Sequence, residues 1–477
     1  MTAVAMWRRG VLGPAEAAGG RTRVVDVIAT VGVAVGLFTV SWDRLANLSL
    51  GGYNVKLPSL VFSLAAVAVL PLLVRRRGEF RARWVRTLGL LTAVLVVVLV
   101  LSTVLSAHPT AGLAQLAAVV TGALAPGLAV FGLLRTRSDL LWALRWFLAG
   151  AALASLFGLY QLAAFYAGWP QFIAYTGVGV DGDAGRISSF SYEPAYFANF
   201  IVLAAGAAMS VALLQGRRMG WWVAAAFAVV LVLVNVRALY FVLPVFAVLL
   251  AFRWRQNRTV LLRFLVVGAV VIGVDIGAMS AIEQATAQAV QEPQQAAAPE
   301  APRTVAPLPE PDPTARADSP VNVLNPNEQS SNAPRLALYT AVLKASLEEP
   351  VLGLGPGNLG PALAADGYIP PNQGTQVVAN NVWLQALADG GILLVLTEAG
   401  IVALVVVQLF RRATTPLQPL IAAWLAVLGV SGMLTSYFFD VKIWVVLGVV
   451  AAAVVIARGT GTPISSARMR AARRDRS

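Results

Sequence analysis

The chain has no cysteine in 477 residues, a single histidine, and three lysines against 33 arginines. Without thiols there can be no disulfide, no thiol nucleophile and no thiolate metal site, although compartment is left open. The one histidine, His108, stands beside Pro109 in a short turn and reads as a plain loop residue, away from any motif partner. Charge is scarce as well. Charged residues make up 12% of the chain, hydrophobic ones 58%, and mean hydropathy is +0.73. Those values belong to a polytopic membrane protein rather than a soluble one. The net charge of +13 is read as juxtamembrane anchoring, not as a nucleic-acid signal. The excess of arginine over lysine points to a high-GC genome.

What is present is a series of twelve apolar stretches, near 24–41, 57–74, 87–106, 112–134, 147–166, 195–214, 220–236, 238–252, 260–280, 391–410, 417–438 and 441–457. The connections between them alternate in charge. One set, which includes both termini, holds 27 of the 36 basic residues, and the other holds 9 despite owning the longest gap. This asymmetry is the positive-inside pattern. The expected fold is therefore an all-α polytopic membrane protein of about twelve helices with both termini cytoplasmic. A tail of more than twenty residues precedes the first stretch and no small-residue cleavage site follows it, so 24–41 is expected to be an uncleaved anchor.

Gly220 to Phe252 is 33 residues, too long for one comfortable span and short for two, since about 20 residues cross the bilayer core. Charge decides for two. One span would carry Arg253, Arg255, Arg258 and Arg263 to the far side. The turn between the two spans then holds Arg237, slightly below the outer interface. An arginine at that depth needs an anionic partner or a watery cavity, which makes it a functional candidate.

The domain reading follows. Residues 1–23 form a cytoplasmic tail, 24–280 the first nine spans, 281–390 a large extracytoplasmic loop, 391–457 the last three spans, and 458–477 a basic cytoplasmic tail. Within the large loop, 284–333 is rich in Gln, Ala, Pro and Glu and cannot bury enough surface to fold, so it is expected to be disordered. From 334 the spacing of Leu336, Tyr339, Leu343 and Leu347 predicts a short amphipathic helix on the membrane surface or on the bundle. The Gly353–Gly360 turn follows. Its formal match to GxGxxG lacks the strand–turn–helix context of a nucleotide site, so it reads as a compact reversal where backbone approaches backbone.

The second outer loop with content, 167–194, carries Trp169, Tyr175, Asp181, Asp183, Arg186, Tyr192 and Glu193, with Tyr196 just beyond. Such aromatics fit an interfacial belt. Mixed with carboxylates and an arginine, they equally fit a carbohydrate site. Glu193-Pro194 begins the sixth stretch, where a plain helix cap is the simple reading of Glu193. Asp389 reads as a cap for the tenth stretch. Glu398, inside the membrane zone, needs a partner or a proton.

Taken in order, an outer GR…F…EP motif entering a helix, the Arg turn NVRALY, the large loop with an Arg-led helix running into GLGPGN, and NNVWLQALADGGI resemble the O-antigen ligase and O-antigen polymerase superfamily of bacterial membrane glycosyltransferases. The resemblance implies an enzyme of the bacterial plasma membrane with its active site facing outside. It would use no cofactor and no metal, a polyprenyl-pyrophosphate-linked glycan as donor, and a hydroxyl of a glycan or lipid acceptor. By that resemblance Arg186, Arg237 and Arg335 grip the pyrophosphate. Guanidinium groups suit that task because they bind phosphate oxygens in pairs without a metal. Ligases of the superfamily carry a histidine before the tenth span, where this chain has Asn380-Asn381. Asparagine takes no proton at neutral pH, so Asn380 and Asn381, with Tyr192 and Tyr196, are candidates for sugar binding. Glu193 becomes the candidate general base, with Asp181 or Asp183 beside it. The missing histidine favours a polymerase over a ligase. A flippase for lipid-linked sugars is the alternative from another class, and no internal repeat of the kind carriers show is visible.

Overall fold

The computed structural model describes residues 20–45, 48–50, 53–75, 83–170, 172–173, 187–191, 193–234, 236, 239–253, 333–369, 377–433 and 438–459. The expected stretch at 260–280 lies outside these residues, as does the expected disorder of 284–333 except at Ala333, which is helical.

Helices cover the other eleven apolar stretches. They are α1 (Gly20–Phe38), α2 (Leu57–Arg75), α3 (Arg83–Leu105), α4 (Pro109–Leu133), α5 (Arg137–Ala167), α6 (Pro194–Gln215), α7 (Met219–Val234) and α8 (Leu239–Arg253). After two short helices, α9 (Ala333–Ser346) and α10 (Leu359–Ala365), come α11 (Val382–Phe410), α12 (Gln418–Val430) and α13 (Val441–Gly459). Among the described residues, eight helices are long and apolar enough to cross a membrane. The 33-residue run is broken in two, as its charges required, into α7 and α8. Among the described residues the strands are a ribbon of two three-residue segments, β1 (Leu48–Leu50) and β2 (Tyr53–Val55), paired antiparallel with Leu48 opposite Val55. Gly51 and Gly52 stand between them, a pair that suits a two-residue hairpin.

Local chemistry sets several helix ends. α5 starts ten residues before its apolar stretch because Thr136 and Asp139 form a capping box: Asp139 N–H donates to Thr136 Oγ1, and Asp139 takes the Thr136 N–H. α4 widens into a π turn at Val120–Leu124 just ahead of Pro126, whose ring would press on the carbonyl four residues back in an ideal helix.

Helix α6 is the hub, 94% of its apolar window being buried inside the protein. It packs on α7, α12 and α5. Gly206 lets the Pro419 carbonyl approach; a Cβ there would lie 2.8 Å from it. Close helix contacts through small residues are how helices associate in lipid. Ser210 then accepts the Leu420 N–H at 3.3 Å in the first turn of α12, satisfying a donor that no helical carbonyl reaches.

Hydrogen bonds show which connections share an end of the bundle. Arg44 N–H, after α1, donates to Phe190 O, before α6. His108 N–H, between α3 and α4, donates to Asn358 Oδ1. Tyr339 Oη of α9 donates to Met433 O, just after α12. At the opposite end Trp84 Nε1 donates to Leu404 O, and Arg137 donates to Leu214 O. The basic-poor and basic-rich connections therefore sit at opposite ends.

Helix α9 forms where its spacing predicts, with its packing face shifted from the expected one. Leu338, Ala341, Val342 and Ala345 are buried with Leu359 and Leu363 in a small separate core, while Leu336, Leu343 and Leu347 are exposed. Both faces of this helix are apolar, so periodicity alone could not rank them.

The GLGPGN turn is a backbone reversal, as read. Leu354 N–H donates to Ala388 O at 2.7 Å, and Ile392 N–H donates to Pro350 O at 2.9 Å, across a break in α11. Gly391 holds the break with φ 61° and ψ −161°, a conformation essentially confined to glycine. A Cβ there would lie 2.3 Å from the Val351 carbonyl carbon. Asp389 does not cap the helix. It is buried beside the break, taking Gln385 Nε2 at 2.8 Å and the Gly357 N–H. Gly391→Ala is expected to cost about 3 kcal/mol from strain and contact. Gly89→Ala, where nothing lies within 4 Å of the added atom, is expected to gain about 0.5–1 kcal/mol. Thermal unfolding of the two variants in detergent reads the difference.

Candidate functional site

Three basic-poor connections distant in sequence converge on one charged network. After α1, Thr39 Oγ1 donates back to Val35 O at 2.8 Å and the chain turns, placing Asp43 against Lys56, the residue between β2 and α2. Asp43 Oδ1 lies 2.9 Å from Lys56 Nζ and Oδ2 lies 3.1 Å from Lys442 Nζ. Lys442 Nζ is also 3.2 Å from Asp440 Oδ2. Asp440 in addition caps α13, its Oδ1 accepting the Lys442 N–H at 2.8 Å. The Lys442 and Asp43 side chains are 2% and 3% exposed, and Lys56 is 25% exposed, so the network has a sealed floor and one accessible lysine.

Electrostatics follow burial. Desolvation works to raise the Asp43 carboxyl, but Lys442 and then Lys56 outweigh it and hold the carboxyl below its ordinary value. The Tyr196 phenol, in the first turn of α6, is within electrostatic reach of Glu193, Asp440, Lys56 and Asp43. Two residues singled out from the sequence, Glu193 and Tyr196, thus stand at this network.

Glu193 occupies the N-cap position of α6 with extended backbone, and its carbonyl accepts the Tyr196 and Phe197 N–H groups. Its side chain makes no capping hydrogen bond and is exposed. The simple capping reading therefore describes its backbone and not its carboxylate. The segment ahead of it is tightly held. Ser189 has φ 52°, its N–H donates to Gln161 Oε1 at 2.7 Å and its Oγ to Ala154 O at 2.7 Å. Several buried polar atoms nearby have no hydrogen-bond partner among the described residues: Ser41 Oγ, Trp42 Nε1, Ser188 Oγ and Ser191 Oγ.

The other sequence candidates separate. Arg186, Tyr192, Arg237, Tyr175, Asp181 and Asp183 lie outside the described residues. Arg335 stands in the first turn of α9, and only its backbone is described. Asn381 caps α11, its Oδ1 accepting the Trp383 and Leu384 N–H groups at 2.9 and 3.1 Å, while its Nδ2 donates to Met433 O at 3.4 Å. Its amide is thus engaged at both ends. Asn380 has φ 50°, and its carbonyl lies 3.0 Å from Tyr339 Oη, sharing that hydroxyl with Met433 O. Glu398 is 1% exposed with Oε2 unpartnered, on the opposite side of the Gly391 break from Asp389.

Sequence reasoning missed Asp43, Lys56, Asp440 and Lys442. A signal was available: all three of the chain's lysines fall in the basic-poor set, and two of them, Lys56 and Lys442, stand within two residues of the start of a long apolar helix.

Lys442→Met is expected to cost about 3 kcal/mol, because it leaves Asp440 and half of Asp43 buried without a cation. The pH dependence has a definite sign. A carboxyl held below its ordinary value of 3.8 stabilises the fold above that pH, and the gain is lost as pH falls below it. Thermal unfolding should therefore fall more steeply below pH 3.8 in the wild type than in Asp43→Asn.

Residues 222–406 match the family model described as O-antigen ligase. No curated protein matches the chain. The matched segment holds Arg237, Arg335, Asn380 and Asn381, whereas the charged network, Glu193 and Tyr196 fall outside it.

Proposed function

We propose, from the match of residues 222–406 to the O-antigen ligase family and the motifs around it, that this chain is a metal-independent glycosyltransferase of the bacterial plasma membrane. In this reading it polymerises a polyprenyl-pyrophosphate-linked glycan at the outer face. The supporting observation is that Glu193 and Tyr196 stand with a buried charge network at the end of the bundle that carries the basic-poor connections. By the positive-inside pattern that end faces outward. The family match itself supports the coarser statement, a membrane glycosyltransferase role in polysaccharide assembly.

The chemistry needs two things. Negative charge develops on the pyrophosphate as the glycosidic C–O bond breaks, and the incoming hydroxyl must lose a proton. Arg186, Arg237 and Arg335 are assigned to the first task. A guanidinium in a site shielded from water stabilises that charge without reorganisation, and losing one such donor costs about 3 kcal/mol, or roughly a hundredfold in rate. Glu193 is assigned to the second, as the exposed carboxylate at the mouth of α6. Asn380 holds the place of the superfamily's histidine and takes no proton, so its assigned part is hydrogen bonding to sugar.

Arg186→Ala and Arg237→Ala are each expected to lower polymer formation about a hundredfold, with single-repeat lipid-linked units accumulating on the outer leaflet. Accumulation on the inner leaflet would instead identify a flippase. Glu193→Gln should abolish transfer, and activity surviving in it would leave Glu193 only its place at the helix start. Pure protein in liposomes, given the lipid-linked glycan in the presence of EDTA, should release polyprenyl diphosphate and form longer glycan.

A further inference from the structure

We infer that the Asp43–Lys56–Asp440–Lys442 network, with Glu193 and Tyr196 above it, is the acceptor-glycan subsite, built from elements outside the family-matched segment. This rests on the transferase reading and deepens it, because it names the residues that would take the acceptor; of the three arginines assigned to the pyrophosphate, Arg186 also lies outside the matched segment, just ahead of Ile187 in sequence. Charge bears on the assignment. The four network residues sum to zero, two aspartates against two lysines, and Glu193 is offset by Arg44 next to Asp43, so the group carries no excess of cations. Such a group disfavours a pyrophosphate, whose recognition needs uncompensated cations. It suits a neutral polyhydroxylated ring, whose hydroxyls donate to carboxylates and accept from an ammonium.

The exposure pattern supports a binding surface over a structural brace alone. Asp43 and Lys442 are sealed, while Lys56 is a quarter exposed and Glu193 exposed. A buried ion pair is by itself weak as a stabilising device, since desolvation offsets most of its attraction. A fixed floor is nevertheless what positions groups at the rim. Asp43 holds Lys56 Nζ at 2.9 Å, and Lys442 holds Asp43 in turn at 3.1 Å. Close by, Ser188, Ser191, Ser41 and the Trp42 indole keep buried polar atoms without partners among the described residues. Buried polar groups are ordinarily satisfied, so this sealed layer beneath the rim is suited to ordered water. Arg44 N–H bonded to Phe190 O at 3.0 Å ties the two segments that carry these groups.

In the transfer step the acceptor oxygen forms a bond to the anomeric carbon of the donor. The bond from that carbon to the pyrophosphate oxygen breaks, its electron pair leaving with the lipid diphosphate. The hydroxyl proton passes to the Glu193 carboxylate. Lys56 and Tyr196 bind the acceptor, and Asp43, Asp440 and Lys442 are positioning residues.

The test uses the full-length protein in liposomes with the lipid-linked repeat unit as donor and the same repeat unit, freed of its lipid, as soluble acceptor. Lys56→Met and Tyr196→Phe should each raise the acceptor KM about tenfold, the effect of losing one strong hydrogen bond, with the donor KM unchanged. Donor breakdown by water, read as polyprenyl diphosphate released without longer glycan, should persist in both. Lys56→Arg should recover part of the acceptor affinity, which a purely packing role would not predict. For the floor, Lys442→Met assayed below its unfolding temperature should show the same split between acceptor and donor KM. Variants that leave the acceptor KM unchanged, or raise donor and acceptor KM together, overturn the subsite while leaving the transferase reading intact. A wild-type protein that forms no longer glycan overturns the transferase reading and the subsite with it.

Discussion

An ammonium group taken out of water at the end of a helical bundle must find full compensation, and Lys442 finds it in two carboxylates from different parts of the chain. Asp440 is its close neighbour and the cap of α13. Asp43 comes from nearly four hundred residues away. That single contact joins the first helical hairpin to the last helix. Because Asp43 also holds Lys56, it fixes the start of α2 and the ribbon before it. The α5–α6 segment is tied alongside through Arg44 and Phe190. An end of a bundle that would otherwise be a set of independent turns thereby becomes one rigid surface, and Glu193 and Tyr196 inherit their positions from it.

A second packed surface lies at the same end. There the Gly391 break, the Gly353 turn and α9 form a small core of their own around Leu338, Val342, Leu359 and Leu363. Ser102 stitches this core to the bundle, its hydroxyl lying 2.6 Å from Leu352 O and 2.7 Å from Asp389 O. The family-matched segment, 222–406, includes this core, and the charged network stands outside it.

The breaks in regularity cluster at this end. Gly391, Ser189 and Asn380 adopt positive φ there, and unpartnered hydroxyls gather before α6. The opposite end closes by ordinary means, with a capping box at Thr136 and a glycine at the end of α6. Backbone strain costs free energy, and the positive-φ residues at this end mark where regularity was given up.

Composition and periodicity determined the helices, because twenty consecutive apolar residues in lipid can satisfy their backbone only by winding. The same sequence set the division at Gly220–Phe252, where four arginines forbade a single span, and the place of α9. It also marked Glu193 and Tyr196 through their setting at a proline-led helix start. The partnerships were beyond it. Nothing in the spacing of Asp43, Lys56 and Lys442 announces that they meet, since ion pairing depends on distance in space and the intervening chain carries no record of it. For the same reason the buried face of α9 was decided by tertiary packing. Both of its faces are apolar, and only the neighbours at Leu359 and Leu363 choose between them. Asn381 became a helix cap rather than a free amide because α11 begins nine residues earlier than its apolar run, and that start is set by the helix's packing against α9 and α12.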